Sequence, residues 1–308
     1  MSKYLVWAKL ATSGRASVEA VTFSIVARSA DGAWWGSAVA SRCLAVGRAV
    51  PAAKVNVGAI ATQAKCNLTY RERGLALLSS GASAEEVVRS LVKDDEHRRY
   101  RQLGVVDAMG RASSHTGEDC NGWAGHVVGE NYAIQGNFLS GPGVIAAMER
   151  AWLATDESDE LERRMLAALL AGDRAGGDRR GRQSSAILIV TDEGAYEEGA
   201  SDEFTNLRVD DHHDPVLELI RLSDIRAVHL VQSDGPGAIP LEGDVLGEIA
   251  VLLDRIGYPP ETSADDAVVA ALETWAIDEY LSGRFHGDSV DVELLNVLRN
   301  RAGAGSLI

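Results

Sequence analysis

Three stretches of this chain set polar side chains where they can act on a ligand. His115-Thr116-Gly117 and Gln135-Gly136-Asn137 each close a predicted strand beside a glycine, a placement that often lines a cleft. Asn and Gln amides, together with free backbone N–H groups, are the donors an oxyanion hole requires. Taken singly, each also reads as a turn. The third stretch, GDRAGGDRRGRQSS at 172–185, puts Arg179, Arg180 and Arg182 on a glycine-permitted turn. Such a turn can clamp a carboxylate by bidentate pairing or stay a solvated basic loop. It lacks the GxxxxGK[ST] pattern and precedes a strand instead of opening a helix, so it is no nucleotide-phosphate loop.

Other chemistries fall away on spacing. There is no GxSxG elbow, and no Ser/His/Asp set can be assembled from chain order. Cys43, between Arg42 and an apolar run, is a candidate nucleophile but reads first as a small buried hydrophobe. His212-His213 sits among Asp210, Asp211 and Asp214, a dense set of potential ligands. Adjacent residues on an extended chain point to opposite sides, however, so the cluster reads as a solvated acidic loop ahead of a helix. No other histidine pair has ligand spacing, and neither a metal nor a cofactor is expected.

These candidates need elements to hold them. Thr22 to Arg28 alternates, with Phe23, Ile25 and Ala27 on one face and Thr22, Ser24 and Val26 on the other, the period of a half-buried strand. Asp31-Gly32 signals a tight two-residue hairpin turn. Trp34 to Ser41 returns with Gly36, Ala38 and Ala40 in a row, which lets a helix, another backbone or a ligand approach closely. Val55 to Thr62 reads as one strand entered through Pro51, and Tyr70–Ser79 and Ala84–Val92 as helices, the second with a Ser83/Glu86 capping box. Four short strands come next (103–108, 112–116, 126–128, 132–135), then helices over 142–152 and 159–170. Ser184 to Val190 is apolar enough for a strand covered on both faces. Asp214 and Pro215 start a helix running to Leu222.

Composition bounds the rest. With 308 residues, 46% hydrophobic, the chain has room for one large domain and a smaller one. Acidic residues outnumber basic ones 45 to 30, for a net charge of -15, a surface that repels nucleic acid. Three widely separated cysteines fit a reducing compartment. The start, YLVWAKLA, is too interrupted for a signal peptide and nothing later reaches membrane-spanning length, so the expectation is a cytoplasmic protein with no membrane partner. Residues 1–20 show no clear period, fit poorly with the strand pattern after them and read as a leader. SDGPGAIP at 233–240 reads as a linker. Beyond it, Leu241 to Arg301 carries 13 acidic against 4 basic residues and three helical patterns, about 244–256, 264–279 and 290–301. The organisation is thus a main domain over 21–230 and a small helical one over 241–308, in the α+β class.

Together the motifs TFSIVAR (22–28), GSAVASRCLAVG (36–47), VGAIATQA (57–64), QLGVVDAMGRASSHTG (102–117), QGN (135–137), GGDRRGRQSSA (176–186) and LRVDDHHDPV (207–216) closely resemble the bacterial domain-of-unknown-function family 1028, which is similar to the Ntn (N-terminal nucleophile) hydrolases. The C-terminal stretch, with GYPP at 257–260 and ALETWAIDEYL at 271–281, resembles a peptidoglycan-binding helical domain more loosely. The resemblance implies a four-layer αββα sandwich and an amidase-type reaction. Thr22 is the implied nucleophile and its own α-amine the base, an amine of pKa near ~8 being partly neutral at pH 7. Asn137 would stabilise the oxyanion, Gln135, Gln63 and Asp178 would orient groups, and Arg42 or Arg179 would hold a substrate carboxylate. His115 and Gln183 complete the substrate-binding set. Members of that family begin Met-Thr, whereas Thr22 here follows Val21 in a peptide bond and has no free amine. Either the leader is removed, or translation begins at Val21, or this chemistry is not used; the poor fit of residues 1–20 favours the second. The alternative class is a non-catalytic small-ligand-binding protein on the same sandwich. The expected partner is a small amide; a homo-oligomer is left open, and cell-wall binding by 241–308 conflicts with the lack of an export signal.

Overall fold

Both faces of the first long strand are buried, so the half-buried expectation understates its packing. The computed structural model describes residues 19–20, 22–192, 202–229 and 238–303. In it β1 (Glu19–Ala20) is followed by β2 (Thr22–Arg28) and β3 (Trp34–Ser41), which pair antiparallel from Thr22–Ser41 to Arg28–Trp35. Asp31-Gly32 does not form a two-residue turn. That turn needs positive φ at both central positions, and only Gly32 has it, at 79°. Four residues, Ala30 to Ala33, span the gap above the Ser29 N–H bond to the Trp34 carbonyl (2.9 Å).

The stretch expected as one strand from Val55 is two. β4 (Pro51–Lys54) reverses into β5 (Gly58–Lys65), with Asn56 at φ 57°, a left-handed turn that asparagine tolerates. Next come α1 (Thr69–Ser79) and α2 (Ala84–Lys93). The Ser83/Glu86 capping box of α2 is formed in both directions. After β6 (Arg101–Asp107) and β7 (Ala112–Thr116), β8 (Trp123–Gly129) and β9 (Tyr132–Leu139) are longer than the expected 126–128 and 132–135: β8 already pairs from Trp123, and β9 continues through Gly136 instead of closing there. α3 (Gly143–Ala154), α4 (Leu161–Arg174), β10 (Ser184–Thr191) and β11 (Glu203–Val209) lead to α5 (Pro215–His229), which runs seven residues past the expected end at Leu222.

Two antiparallel sheets result, one ordered β1-β5-β6-β7 with β4 also on β5, the other β11-β10-β3-β2-β9-β8. Val26, Trp35, Val39, Ala59, Ala61, Val106, Ala133, Ala186, Leu188 and Val190 come from both sheets and form one apolar cluster. The other face of the first sheet (Ile60, Leu103, Val105) packs with Tyr70, Leu78, Val87 and Leu91 of α1 and α2. The row Gly36, Ala38, Ala40 has the predicted use: a Cβ on Gly36 would stand 2.8 Å from Met165 Sδ of α4.

The chain divides into two compact units, residues 1–221 and 222–308, with the boundary inside α5. The 233–240 linker lies, up to Gly237, outside the described residues. In the second unit α6 (Asp244–Arg255), α7 (Asp265–Asp278) and α8 (Val292–Arg301) pack Ile249, Leu253, Leu272, Trp275, Leu294 and Leu298 together, beside a two-stranded pairing of β12 (Ile239–Pro240) with β13 (Ser289–Val290). The guanidinium of Arg284, 5% exposed, is neutralised by Asp291 (2.8 Å) and donates to the Ala227 and Val228 carbonyls. No helix among the described residues is long and apolar enough to cross a membrane.

Candidate functional site

Strand alternation decides what faces the layer between the sheets. The side of β2 that carries Val26 also carries Thr22 and Ser24; the side of β3 that carries Val39 carries Ser41. By the same count Gln63 follows Ala61 on β5, Gln102 precedes Val106 on β6, and Gln135 and Asn137 follow Ala133 on β9. One end of the layer is therefore mostly apolar, with the buried Ser37 as its exception, and the other is built from hydroxyls and amides. None of these seven polar residues is more than 3% exposed.

They satisfy one another. Gln102 is the hub: its Nε2 donates to the Gly136 carbonyl (2.8 Å), the Gly125 carbonyl (3.2 Å) and Thr116 Oγ1 (2.9 Å). Carbonyls only accept, so they set which end of that amide is nitrogen. Gln102 Oε1 then accepts from Gln63 Nε2 (2.8 Å) and Asn137 Nδ2 (2.9 Å). Gln63 Nε2 also reaches the Thr22 carbonyl (3.3 Å), and its Oε1 accepts from Ser24 Oγ (2.6 Å). Gln135 Nε2 donates to Ser24 Oγ (2.6 Å), while Gln135 Oε1 is buried with no partner. A Cβ on Gly104 would lie 2.0 Å from that oxygen, so only glycine there admits the Gln135 amide. Leaving such an acceptor bare costs about 1–3 kcal/mol.

Backbone strain sits at the same end. Ala64, directly after Gln63, has φ 62°, and Phe138, directly after Asn137, has φ 55°. For a bulky residue this is a true outlier, costing of order 1–3 kcal/mol, and such residues cluster at functional sites. The Phe138 turn is held by its N–H on the Asn121 carbonyl (2.8 Å) and by Arg179 N–H on its own carbonyl (3.2 Å).

Thr22 opens β2 at this end. Its Oγ1 donates to Ser41 Oγ at 3.4 Å, and no histidine or carboxylate among the described residues bonds it. The adjoining strand ends carry the charged candidates. Asp178, 4% exposed, pairs with Leu139 in an isolated bridge and accepts from the Arg42 N–H (2.8 Å). Arg180 grips the same carboxylate through Nη2 (3.0 Å), and Arg182 grips Asp173 (2.8 Å). Two of the three loop arginines thus hold carboxylates of the chain itself while their side chains stay part-exposed. Arg179 lies over the Phe138 ring, 5.2 Å from its centre, and the Arg42 side chain is exposed beside Gly181. Gln183 donates its N–H to the Ser41 carbonyl (3.1 Å) and its amide to Asp211 (3.0 Å).

Thr22, Gln63, Gln135 and Asn137 are thus joined in one network, and Arg42, Asp178, Arg179 and Gln183 stand at its strand ends. His115 is apart: it pairs with Leu103 of the helix-facing row and donates Nε2–H to the Arg98 carbonyl (2.9 Å). Cys43 is part-exposed, not fully buried, and burial pushes its thiol pKa up. His212 and His213 do not point apart as an extended chain would place them; the chain bends there and the rings lie 4.3 Å apart. Ser24, Ser41, Gln102 and Thr116 were not singled out from sequence. Their signal was a polar residue where alternation demands a core residue.

In the second unit an open cleft of about 240 Å³ is lined by Tyr258, Pro259, Glu261, Ala267, Ala270, Ala271 and Thr274, beside the GYPP turn.

A mixed α+β chain of antiparallel sheets, with a polar interior at one strand end, is the class these observations define. The family model described as "Family of unknown function (DUF1028)" matches residues 22–219, and the chain belongs to that family. The model "Putative peptidoglycan binding domain" matches residues 229–298. Among solved structures, the DUF1028 protein SPO2555 from Silicibacter pomeroyi is 31% identical at a TM-score of 0.61, over 67% of this chain and 89% of its own. Anbu (ancestral beta-subunit) from Yersinia bercovieri is 14% identical at a TM-score of 0.32, over 70% of this chain and 99% of its own. No match is found among curated proteins.

Proposed function

We propose that the first unit is an Ntn-type amide hydrolase on a four-layer αββα sandwich, with Thr22 as nucleophile once its α-amine is free. The observation that carries this is the setting of Thr22. It begins a strand inside an uncharged polar interior, and among the described residues its hydroxyl has no histidine or carboxylate to deprotonate it. A threonine so placed becomes a nucleophile only if the base is its own amine. The hydroxyl then attacks the amide carbonyl and the amine takes its proton and hands it to the leaving nitrogen. Asn137 Nδ2 is the donor for the oxyanion, held by Gln102, and Arg42 and Arg179 offer a carboxylate two cations that bond no carboxylate among the described residues.

The test is a chain that starts Met-Thr22, so that methionine removal exposes the threonine. Screened on a panel of small acyl amides, it should hydrolyse one that the 308-residue form leaves intact. Thr22→Ala should abolish turnover and Thr22→Ser retain part of it; a folded Thr22→Ala variant with parental turnover overturns the reading. The peptide bond to Val21 favours a second reading, a binding protein that uses the same interior without catalysis. The second unit is proposed as a module for cell-wall fragments, to be checked by co-sedimentation of residues 222–308, within the whole chain, with insoluble peptidoglycan.

A further inference from the structure

The network does not end inside the protein. Thr116, which takes the Gln102 amide proton, also meets His126 Nδ1 at 2.8 Å, and both line an open cleft of about 460 Å³ with Glu118, Cys120, Gly122 and Gly125. A continuous run of hydrogen bonds therefore passes from His126 through Thr116 and Gln102 to Asn137 and, by way of Gln63, to the Thr22 carbonyl.

Proton counting gives this run a direction. The Gln102 nitrogen must donate, because two backbone carbonyls bind it. Its two protons are shared among three acceptors, Thr116 Oγ1 included, and since an amide nitrogen cannot accept, the Thr116 proton is left for His126 Nδ1. The hydroxyl proton then has its acceptor in a neutral ring whose own proton is on Nε2. An imidazolium carries a proton on Nδ1 as well. It would donate to Thr116, whose hydroxyl proton would have to turn elsewhere while its oxygen served two donors. Protonation of an exposed ring is thereby felt at a buried amide.

We propose that His126 is a positioning residue that sets the Gln102–Asn137 arrangement through Thr116, and that this arrangement is in order only while His126 is neutral. Its bearing on catalysis rests on Thr22 as nucleophile and Asn137 as oxyanion donor; the coupling itself does not. His115 on β7 is the nearest titratable neighbour. Glu118 and Asp119 of the loop are both engaged by Arg99 (2.9 and 3.0 Å). On β9 the facing residue is the uncharged Gln135. The thiol of Cys120 is pushed up to about 11 by burial and stays protonated. α3 packs on the other face of β8 and brings Glu149, bonded by the Tyr132 hydroxyl (2.9 Å), and Arg150. Partial burial of the ring, then the neighbouring His115, lowers the His126 pKa from the ordinary histidine value.

The experiment is a pH titration of the full chain followed by nitrogen NMR of the histidine rings and the side-chain amides. The expected result is a neutral His126 protonated on Nε2, with the Gln102 and Asn137 amide signals shifting at the His126 midpoint. Thr116→Val should leave His126 titrating while those amide signals stay flat, and Thr116→Ser should restore the coupling. A merely structural Thr116 would not give that rescue. Flat amide signals in the parent, an Nδ1–H tautomer, or coupling that survives Thr116→Val would each overturn the proposal. None of these readouts needs a substrate, so failure here is distinct from failure of Thr22 as nucleophile.

Discussion

The layer between the two sheets has two ends made by the same strands and opposite in chemistry. At the Arg28–Trp35 end it is filled by Val26, Trp35, Val106 and Val190, with Trp35 Nε1 finding the Asp107 carbonyl at 3.4 Å and the buried Ser37 hydroxyl the one inward polar group beside Val26. At the Thr22–Ser41 end the same inward positions hold hydroxyls and amides, an unpartnered Gln135 oxygen, and Ala64 and Phe138 in left-handed backbone. Apolar burial needs no specified partners and stabilises in proportion to area. A polar interior stabilises little and is tolerated only when nearly every group is paired. The first end keeps the sheets together; the second is maintained at a greater cost.

That contrast can be broken most forcefully at the apolar end. Trp35→Ala, which empties a fully packed position, should cost about 3–5 kcal/mol of unfolding free energy, read by urea denaturation. Outside the layer, Asp95 provides a comparison in which charge does the holding. Burial works against its carboxylate. Even so, hydrogen bonds from Arg101 (2.9 Å), Tyr70 (2.7 Å), the His97 amide and Asn67 prevail and keep its pKa well below the usual carboxylate range. The folded pKa is depressed, so this contribution is full above the unfolded value of about 4, shrinks as pH drops below it, and is gone once pH has fallen through the folded pKa. Asp95→Ala should cost about 3 kcal/mol at pH 7 by stranding the Arg101 charge, and the difference from the parent should shrink in acid.

At the polar end the expected stability effects are smaller. Gln102→Leu strands the donors of Gln63 and Asn137 and the Gly136 carbonyl, at about 1–3 kcal/mol for each group that finds no water. A stability gain from Gln102→Leu would remove the claim that the network is intact. Smallest is Ser83→Ala at the α2 cap, about 1 kcal/mol, which calibrates the scale because the cap touches neither end.

Much of this architecture was legible in the sequence. Period-two alternation put Phe23 and Ile25 on one face and Thr22 and Ser24 on the other, and the small row at Gly36 correctly left space for a helix. Ser83 and Glu86 gave the α2 start to the residue. Turns were less legible: Asp31-Gly32 and Val55 to Val57 depend on which single residue takes positive φ, and several residue types tolerate it. The site was legible only in fragments. Gln135 and Asn137 stood out beside Gly136, but Gln102, Ser24 and Thr116 matter through partners 14 to 111 residues away, a separation that no local pattern encodes. The internal ion pairs of Arg180 and Arg182 were hidden for a different reason, since a free and an occupied arginine look alike in sequence.

The central claim is that the polar end is a nucleophile site completed by the amine of Thr22. Its most direct test is the intact mass of two proteins, one beginning at Thr22 and one with all 308 residues, after exposure to an acylating β-lactone. The account predicts a single adduct on the first, mapped to Thr22 and absent from its Thr22→Ala variant, and none at Thr22 in the second. Equal labelling of Thr22 in both forms, or an adduct on the short form that persists in Thr22→Ala, would contradict it.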